Sequence, residues 1–418
     1  MAGAFFREAC VSTAASADPD QPAEEAPAKG TERRALGVAS GAHALHDGYT
    51  DLVWIGLPIW QIEFGLSYAA VGMLRMIYTG TMASLQIPAS HLAERVGGRI
   101  VLALGTGLCG LCYCLAGLGT DVWWLVAALF LGGLGAATQH PIGSALVTRA
   151  FTGARALTAF GTYNFAGDVG KVLLPAAAAT LILFMPWRPA YGLLGLLGLA
   201  AAVAIYLLTP RLPATKTTPK ADAGDSGSTA HSANARTGFR VLAGLGIADS
   251  IVRGAFFVLL PFLLIGKGAT PATAGLALTL VFVGGAAGKL AFGWVAGWLG
   301  MVSTIVVAQA AAAAGMLAVL LVPLIPALVL LPVVGLALNG GTTVIYGSVP
   351  SYATPEKRTH ALSVFYTATI GSAAISPPLS GLLGDLVGIF NAIVVVVVLT
   401  LLTVPVAGLL RNRTVPVN

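Results

Sequence analysis

Charge is what this sequence has least of. Charged side chains make up 10% of the 418 residues, against about 25% in soluble domains, which excludes an ordinary water-soluble fold. Cysteine is scarce as well, and Cys10, Cys109, Cys112 and Cys114 do not make a disulfide framework. The last three read C-x-x-C-x-C in an apolar stretch without a nearby His or carboxylate, so small buried thiols are expected and no metal site. No G-x-x-x-x-G-K-S/T loop is present, so ATP is not expected to drive the protein directly. No H-E-x-x-H or nucleophile motif marks the apolar stretches. The chain shows no nucleic-acid module, and its polar segments are too simple in composition for a folded sensor domain. An intramembrane enzyme or a sensor is therefore the remoter reading, and no cofactor is expected.

What is present is hydrophobic: 56% of residues, with a mean hydropathy of +0.84. The expected class is an all-α polytopic membrane protein. Twelve apolar segments, long enough to cross a core about 30 Å thick at ~1.5 Å per residue, run approximately 35–62, 68–90, 99–119, 122–148, 155–184, 187–209, 239–265, 271–293, 300–322, 325–349, 360–385 and 388–410. They divide the chain into a disordered cytoplasmic tail (1–34, without the basic start and apolar run of a signal peptide), a six-helix bundle (35–209), a cytoplasmic linker (210–238), a second six-helix bundle (239–410) and a short cytoplasmic tail (411–418). The linker is the one long polar interior stretch, rich in Thr, Ala, Ser and Gly.

Basic residues orient these spans. Of the 23 Lys and Arg, Arg188 and Lys267 fall on one side and Arg75, Lys171 and Arg253 inside spans. The remainder, Lys289 among them, fall on the side shared by the tails and the linker. The positive-inside rule then places both termini in the cytoplasm of a cell (inner) membrane. The net charge of +6 and pI near 9.2 follow from topology and need no acidic partner.

The first span breaks the apolar pattern. His43, Asp47 and Asp51 recur at i, i+4 and i+8 and share one helix face, with His46 and Thr50 beside them. An Asp at mid-membrane depth costs roughly 2.5–3.5 kcal/mol, and such residues mark ion or solute paths facing a wet interior. His43, Asp47 and Asp51 are accordingly the candidate proton-coupling residues. A helix–helix salt bridge is the plainer alternative. Further polar groups at similar depth are Arg75, Gln139, His140, Asp168, Lys171, Asp249 and Arg253, the candidate solute-binding residues. Tyr49, Tyr163, Asn339 and Tyr346 are available to add hydrogen bonds. Asp168–Lys171 and Asp249–Arg253 are equally readable as in-helix structural ion pairs. The three intramembrane cations suggest an anionic or zwitterionic solute, weakened by the four Asp residues that match them. His140-Pro141 predicts a kink in the fourth span.

The chain also repeats itself. A shift of 203 residues lays Leu57-Pro58 on Leu260-Pro261, Gly72 on Gly275 and Gly97 on Gly300, while a shift of 205 lays Ala156–Phe160 on Ala361–Phe365. Under the first shift His46 falls on Asp249 and Thr50 on Arg253. Two six-span halves of the same topology are the architecture of major facilitator transporters.

The loop Ser90-His-Leu-Ala-Glu-Arg-Val-Gly-Gly-Arg-Ile-Val-Leu102 is similar to the loop signature of that superfamily, G-x-L-a-D-R-x-G-R-R-x-x-L. Leu92, Ala93, Arg95, Gly97, Arg99 and Leu102 match, whereas Ser90, Glu94 and Gly98 depart. The resemblance implies a gating loop in which Glu94, Arg95 and Arg99 make charge pairs with neighbouring helices. Within the superfamily, His43–Tyr49 and Gly133–Gly143 resemble the fosmidomycin-resistance branch, which carries a similar His-x-x-x-Asp and His-Pro. Two features depart from drug/proton antiporters in general. Leu129 stands where many place an Arg, and Gly161–Lys171 replaces G-P-x-x-G-G with a stretch containing Asp168 and Lys171. The resemblance implies a monomeric secondary transporter of a small organic solute, proton-coupled and directed outward. Proton-coupled uptake of a small organic anion bound by Arg75 is the alternative.

Overall fold

The computed structural model describes residues 29–151, 153–210, 229–353 and 358–411. Among them there is no strand. A backbone without water must satisfy its own hydrogen bonds, and the helix does so within one segment. The first half contains α1 (Lys29–Phe64), α2 (Tyr68–Val96), α3 (Gly98–Leu118), α4 (Val122–Ala136), α5 (Gln139–Ala150), α6 (Gly153–Phe184) and α7 (Trp187–Leu208). The second contains α8 (Thr229–Gly266), α9 (Pro271–Leu299), α10 (Met301–Leu321), α11 (Leu324–Gly347), a 3-10 turn (Val349–Tyr352) and α12 (Arg358–Gly408).

Each of the twelve predicted apolar segments coincides with a helical rod. α4 and α5 together form the fourth, broken at Ala137–Thr138 just before His140-Pro141. α12 supplies the last two, because Gly388 adopts φ 80°, ψ 157° and turns the chain. Nine helices among the described residues are long and apolar enough to cross a membrane, with α4–α5 counted as one and α12 counted once. α1 and α2 fall outside that set because polar residues interrupt them, and those residues prove to matter below. Two boundaries need correction. Residues 29–34, expected in the disordered tail, are the first turns of α1, and Glu32 there is buried and paired with Arg155. Residues 229–238, expected in the linker, begin α8. The rest of the tails and linker lies outside the described residues.

The repeat is written into the turns. Gly65 and Gly97 have φ of 60° and 97°; Gly268 and Gly300, each 203 positions on, have φ of 96° and 75°. Only glycine adopts this region without strain, so the same reversals recur at the same places. The caps match too. Ser67 accepts from the Ala70 N–H, and Thr270, again 203 positions on, accepts from the Thr273 N–H.

The two halves meet differently at their two ends. At the end carrying the α1–α2 turn, one hydrophobic cluster joins Leu52–Trp60 of α1 to Phe256–Leu264 of α8 and to Leu278 and Val281 of α9. Gly72 of α2 lies against the Pro377 carbonyl and Gly381 of α12 against the Tyr68 carbonyl, where any side chain would collide. Asp385 of α12 accepts from the Tyr68 and Ala69 N–H groups at 2.8 and 2.9 Å, capping α2 from the other half. At the end where α1 begins and α12 finishes, the clusters separate. Ala35, Ala39, Leu146, Val147, Ala159 and Tyr163 pack within the first half, and Leu242, Leu245, Ile305, Ala308, Ile345 and Phe365 within the second. The halves share a core at one end and part at the other, and a cavity lies between them.

Candidate functional site

The cavity holds about 850 Å³ and is walled by α1, α2, α5 and α6 on one side and α8, α9, α11 and α12 on the other. Its inner end is aromatic. Trp54 meets Phe257 edge-on at 5.7 Å, and Phe257 meets Phe282 edge-on at 5.5 Å. Its sides carry most of the polar groups singled out from the sequence.

His43, Asp47 and Asp51 line it together, as their shared helix face requires. Asp47 is the hub of the first half. Lys171 Nζ lies 3.0 Å from its Oδ2, His43 Nε2 3.5 Å from the same oxygen, and His46 Nε2 3.8 Å from Oδ1. His43 Nδ1 is 2.9 Å from the Tyr163 carbonyl. A carbonyl only accepts, so Nδ1 carries hydrogen, and the ring is further held by stacking on Tyr163 at 4.1 Å. Nε2 then faces a carboxylate, a contact that is attractive only when a proton sits between them. His140 completes the group, its ring 4.7 Å from His46 and 5.5 Å from His43.

Asp51 is a separate pair. It accepts from the Trp54 indole at 3.2 Å and faces Arg75 at 3.7 Å. Arg75 also donates to the Thr50 carbonyl and lies 4.2 Å over the Trp54 ring. Its guanidinium is thus held on three sides by α1. Asp168 reaches Lys171 at 3.8 Å, but its closest partner is Lys289 of α9. Lys289 therefore belongs inside the cavity and not among the exposed basic residues, where sequence reasoning put it. α9 continues to Leu299, six residues beyond the predicted end, which moves Lys289 well into the rod. This is the one salt bridge between the halves among the described residues.

Two predicted residues stand behind the wall. Gln139 is buried in a small hollow beyond His46 and does not line the main cavity. Asp249 is also buried, its oxygens accepting from Gln309 Nε2 at 3.0 Å and Thr342 Oγ1 at 2.7 Å. Arg253, one turn along, does line the cavity, yet no salt bridge joins the two. Gln309, Thr342 and Trp54 were not foreseen. Trp54 stands three residues after Asp51, a spacing that could have found it; the other two are single polar residues far away in sequence. Of the hydrogen-bonding tyrosines, Tyr163 and Tyr346 line the cavity with Asn339. Tyr49 instead donates to the Leu194 carbonyl at 2.6 Å, away from it.

The expected gating loop is helical apart from Gly97: Glu94 and Arg95 end α2, and Arg99, in the first turn of α3, donates to the Tyr206 carbonyl and stacks on the Tyr206 ring at 4.3 Å, fastening α3 to α7. Glu94 and Arg95 are exposed and form no ion pair among the described residues. Cys109 and Cys112 are buried free thiols, as expected; Cys10 lies outside the described residues. His46, Asp47 and His140 could bring one ligand atom each to a metal ion, all within 4.8 Å. The Lys171 ammonium already occupies the carboxylate of that trio, and a divalent cation would have to displace it against its charge.

Residues 40–248 and 242–418 match the Major Facilitator Superfamily model. The "Probable L-galactonate transporter" of Escherichia coli (strain K12) is 27% identical over 126 residues, 30% of this chain and 28% of that protein. The "Fosmidomycin resistance protein" of the same organism is 28% identical over 178 residues, 40% of this chain and 42% of that protein. Less than half of either relative is matched. A bacterial homolog of the human lysosomal transporter Spinster, crystallised in an inward-facing and occupied conformation, superposes with a TM-score of 0.77 at 17% identity. That match covers 93% of this chain and 98% of the other; its inward-facing, unoccupied form gives 0.75. These likenesses establish the fold of two helical halves around a central cavity. The chain belongs to the Major Facilitator Superfamily of multi-pass membrane transporters.

Proposed function

We propose that the protein is a proton-coupled antiporter that exports a small organic solute across the cell (inner) membrane, with both termini in the cytoplasm. The observation that supports this most is a row of alternating charges, Asp47–Lys171–Asp168–Lys289, running from the first half into the second. Asp47 and its neighbour His43 take up the proton. Once protonated, Asp47 no longer holds Lys171, which turns to Asp168 on its own helix. Asp168 then shares its charge between two ammonium groups and loosens its hold on Lys289. The tie between the halves weakens and they are free to rock. In the arrangement described here Asp47 faces Lys171 while the cavity opens toward the termini. An antiporter needs that order: proton released, solute taken from the cytoplasm.

The opposite face supports the same cycle, since Asp385 capping α2 and the glycine contacts beside it close the cavity on the outside. Glu94 and Arg95, exposed and without an ion pair among the described residues, would pair when that face closes. Export is favoured over import by the likeness to the fosmidomycin-resistance protein. Uptake of an anion held by Arg75 has less support, because that guanidinium is taken up by Asp51, Thr50 and Trp54.

Proteoliposomes containing the full chain and a pH-sensitive dye test the proposal. A panel of small organic solutes is expected to include one that drives proton movement opposite to its own, and Asp47→Asn is expected to abolish that movement. Solute flux indifferent to a pH gradient would sink the coupling. Protons moving in the same direction as solute would sink export.

A further inference from the structure

Four cations line the cavity: Arg75, Lys171, Arg253 and Lys289. Three carboxylates line it with them, and each is matched. Asp51 faces Arg75, Asp47 faces Lys171, and Asp168 faces Lys289. Arg253 is left over. Among the described residues it has no salt bridge, and its buried Nε has no hydrogen-bond partner. Asp249, one turn earlier on α8, sits behind the wall with both oxygens already accepting from Gln309 and Thr342. That carboxylate makes a guanidinium at this depth tolerable without using its donors.

The surroundings of Arg253 have the form of a ligand subsite. Ser250, one turn earlier on the same face of α8, lines the cavity at 1% exposure, and its hydroxyl has no partner. Across the cavity the Thr50 hydroxyl and His46 Nδ1 have no hydrogen-bond partner among the described residues, while His46 Nε2 lies 3.8 Å from Asp47. One turn beyond Arg253 stands Phe257, part of the aromatic inner end with Trp54 and Phe282. A planar fork of donors suits a carboxylate or phosphonate oxygen pair, and the rings beside it suit a carbon body. A cavity of about 850 Å³ is in the size range of small-molecule sites.

Resting on the reading of this cavity as the solute path, we infer that the solute is a singly charged organic anion. Its carboxylate or singly ionised phosphonate is held by Arg253 and Ser250, and its body lies against Trp54, Phe257 and Phe282. Arg253 is the one cation on the wall that no carboxylate engages in a salt bridge among the described residues, and a single guanidinium suits a single negative charge. The anchor is in the second half, whereas the proton groups are in the first, so the solute must bridge the halves to bind fully.

Thermal stabilisation of the purified full chain is the measurement. The probes are benzoate, gluconate and the monomethyl ester of methylphosphonate, each beside its uncharged benzamide, gluconamide or dimethyl ester. At least one anion is expected to stabilise the protein while its uncharged mate does not. Arg253→Gln is expected to weaken that anion at least about tenfold, the effect of losing about 1.4 kcal/mol, with Arg253→Lys in between because the fork is lost. Asp249→Asn, which removes a nearby negative charge, is expected to tighten it. If Arg253→Gln fails to fold, the double variant Asp249→Asn, Arg253→Gln removes both charges and is still expected not to bind. No stabilisation by any anion, equal stabilisation by the uncharged mates, or wild-type affinity in the double variant would each overturn the inference. The last result would make Arg253 a counter-ion for Asp249 and nothing more. Proton movement is read separately. Anion binding that survives alongside pH-independent flux would sink the antiport proposal and leave the anchor standing.

Discussion

The two halves of the molecule share a backbone plan and differ in chemistry. Their turns recur 203 residues apart, down to the left-handed glycines and the hydroxyl caps. Yet the first half gathers three histidines, three aspartates and two cations around one wall of the cavity, while the second offers Arg253, Lys289 and neutral polar groups. Where the first has His46, the second has Asp249 turned away from the cavity; where the first has Thr50, the second has Arg253. A duplicated scaffold therefore keeps what packing demands and lets the cavity faces diverge. Titratable groups concentrate on one side and the unmatched positive charge on the other.

The sharpest way to break this division is at its hub. Asp47→Asn is expected to lower gradient-driven flux by more than about tenfold, a change worth at least about 1.4 kcal/mol. Exchange flux without a gradient should remain measurable, and both are read in the same proteoliposomes. Equal losses in both would show that the first half does more than handle protons. Next in size is the tie between halves. Lys289→Gln is expected to slow gradient-driven flux severalfold, and exchanging the charges, Asp168→Lys with Lys289→Asp, should recover part of it. No recovery would mean that each residue acts within its own half.

A smaller effect is expected at the end carrying the α1–α2 turn. Asp385→Ala removes a cap worth about 1 kcal/mol, which should raise the fraction open at that end about fivefold, read by the accessibility of a cysteine placed at the buried Val71. The smallest effect on transport tests the shared plan itself. Gly97→Ala and Gly300→Ala each place a side chain at positive φ, at a cost of roughly 1–2 kcal/mol. The two variants should lose similar thermal stability, with flux through the folded protein barely altered. Unequal losses would argue that the matching turns carry different loads in the two halves.

Acidity sharpens the comparison in a direction that can be stated in advance. On the proposed coupling, a proton on Asp47 releases Lys171, so lowering the pH should loosen the Asp168–Lys289 tie. An inter-half distance probe across α6 and α9 should broaden as pH falls, and Asp47→Asn should show the broadened distribution at every pH. A distribution unchanged by pH in the wild-type protein would remove the row of charges as a coupling device.

Much of the fold could be read before any coordinates. Apolar runs of the right length, a polar interruption between Leu208 and Arg236, and a repeat of fixed offset specified the rods, the halves and their orientation relative to one another in sequence. The candidate site was legible only in part. His43, Asp47 and Asp51 were found because residues four apart share a helix face, a local rule. Lys289 was misplaced because the end of an apolar run is a poor guide to the end of a helix. Gln139 and Asp249 were expected among the solute-binding residues but stand behind the wall, and nothing in the sequence says which side of it a polar residue occupies.

The sequence alone therefore determined the class, the rods and the family, because each depends on hydropathy and turn chemistry summed over a few adjacent residues. Only the tertiary structure decided who pairs with whom. Asp168 is 3.8 Å from Lys171 on its own helix, yet it is closer still to Lys289, 121 positions away. Arg75 pairs with a carboxylate and, among the described residues, Arg253 does not, although both are single arginines in apolar helices. Coulomb energy depends on separation in space, and separation in space is set by how the helices pack, which no local pattern contains.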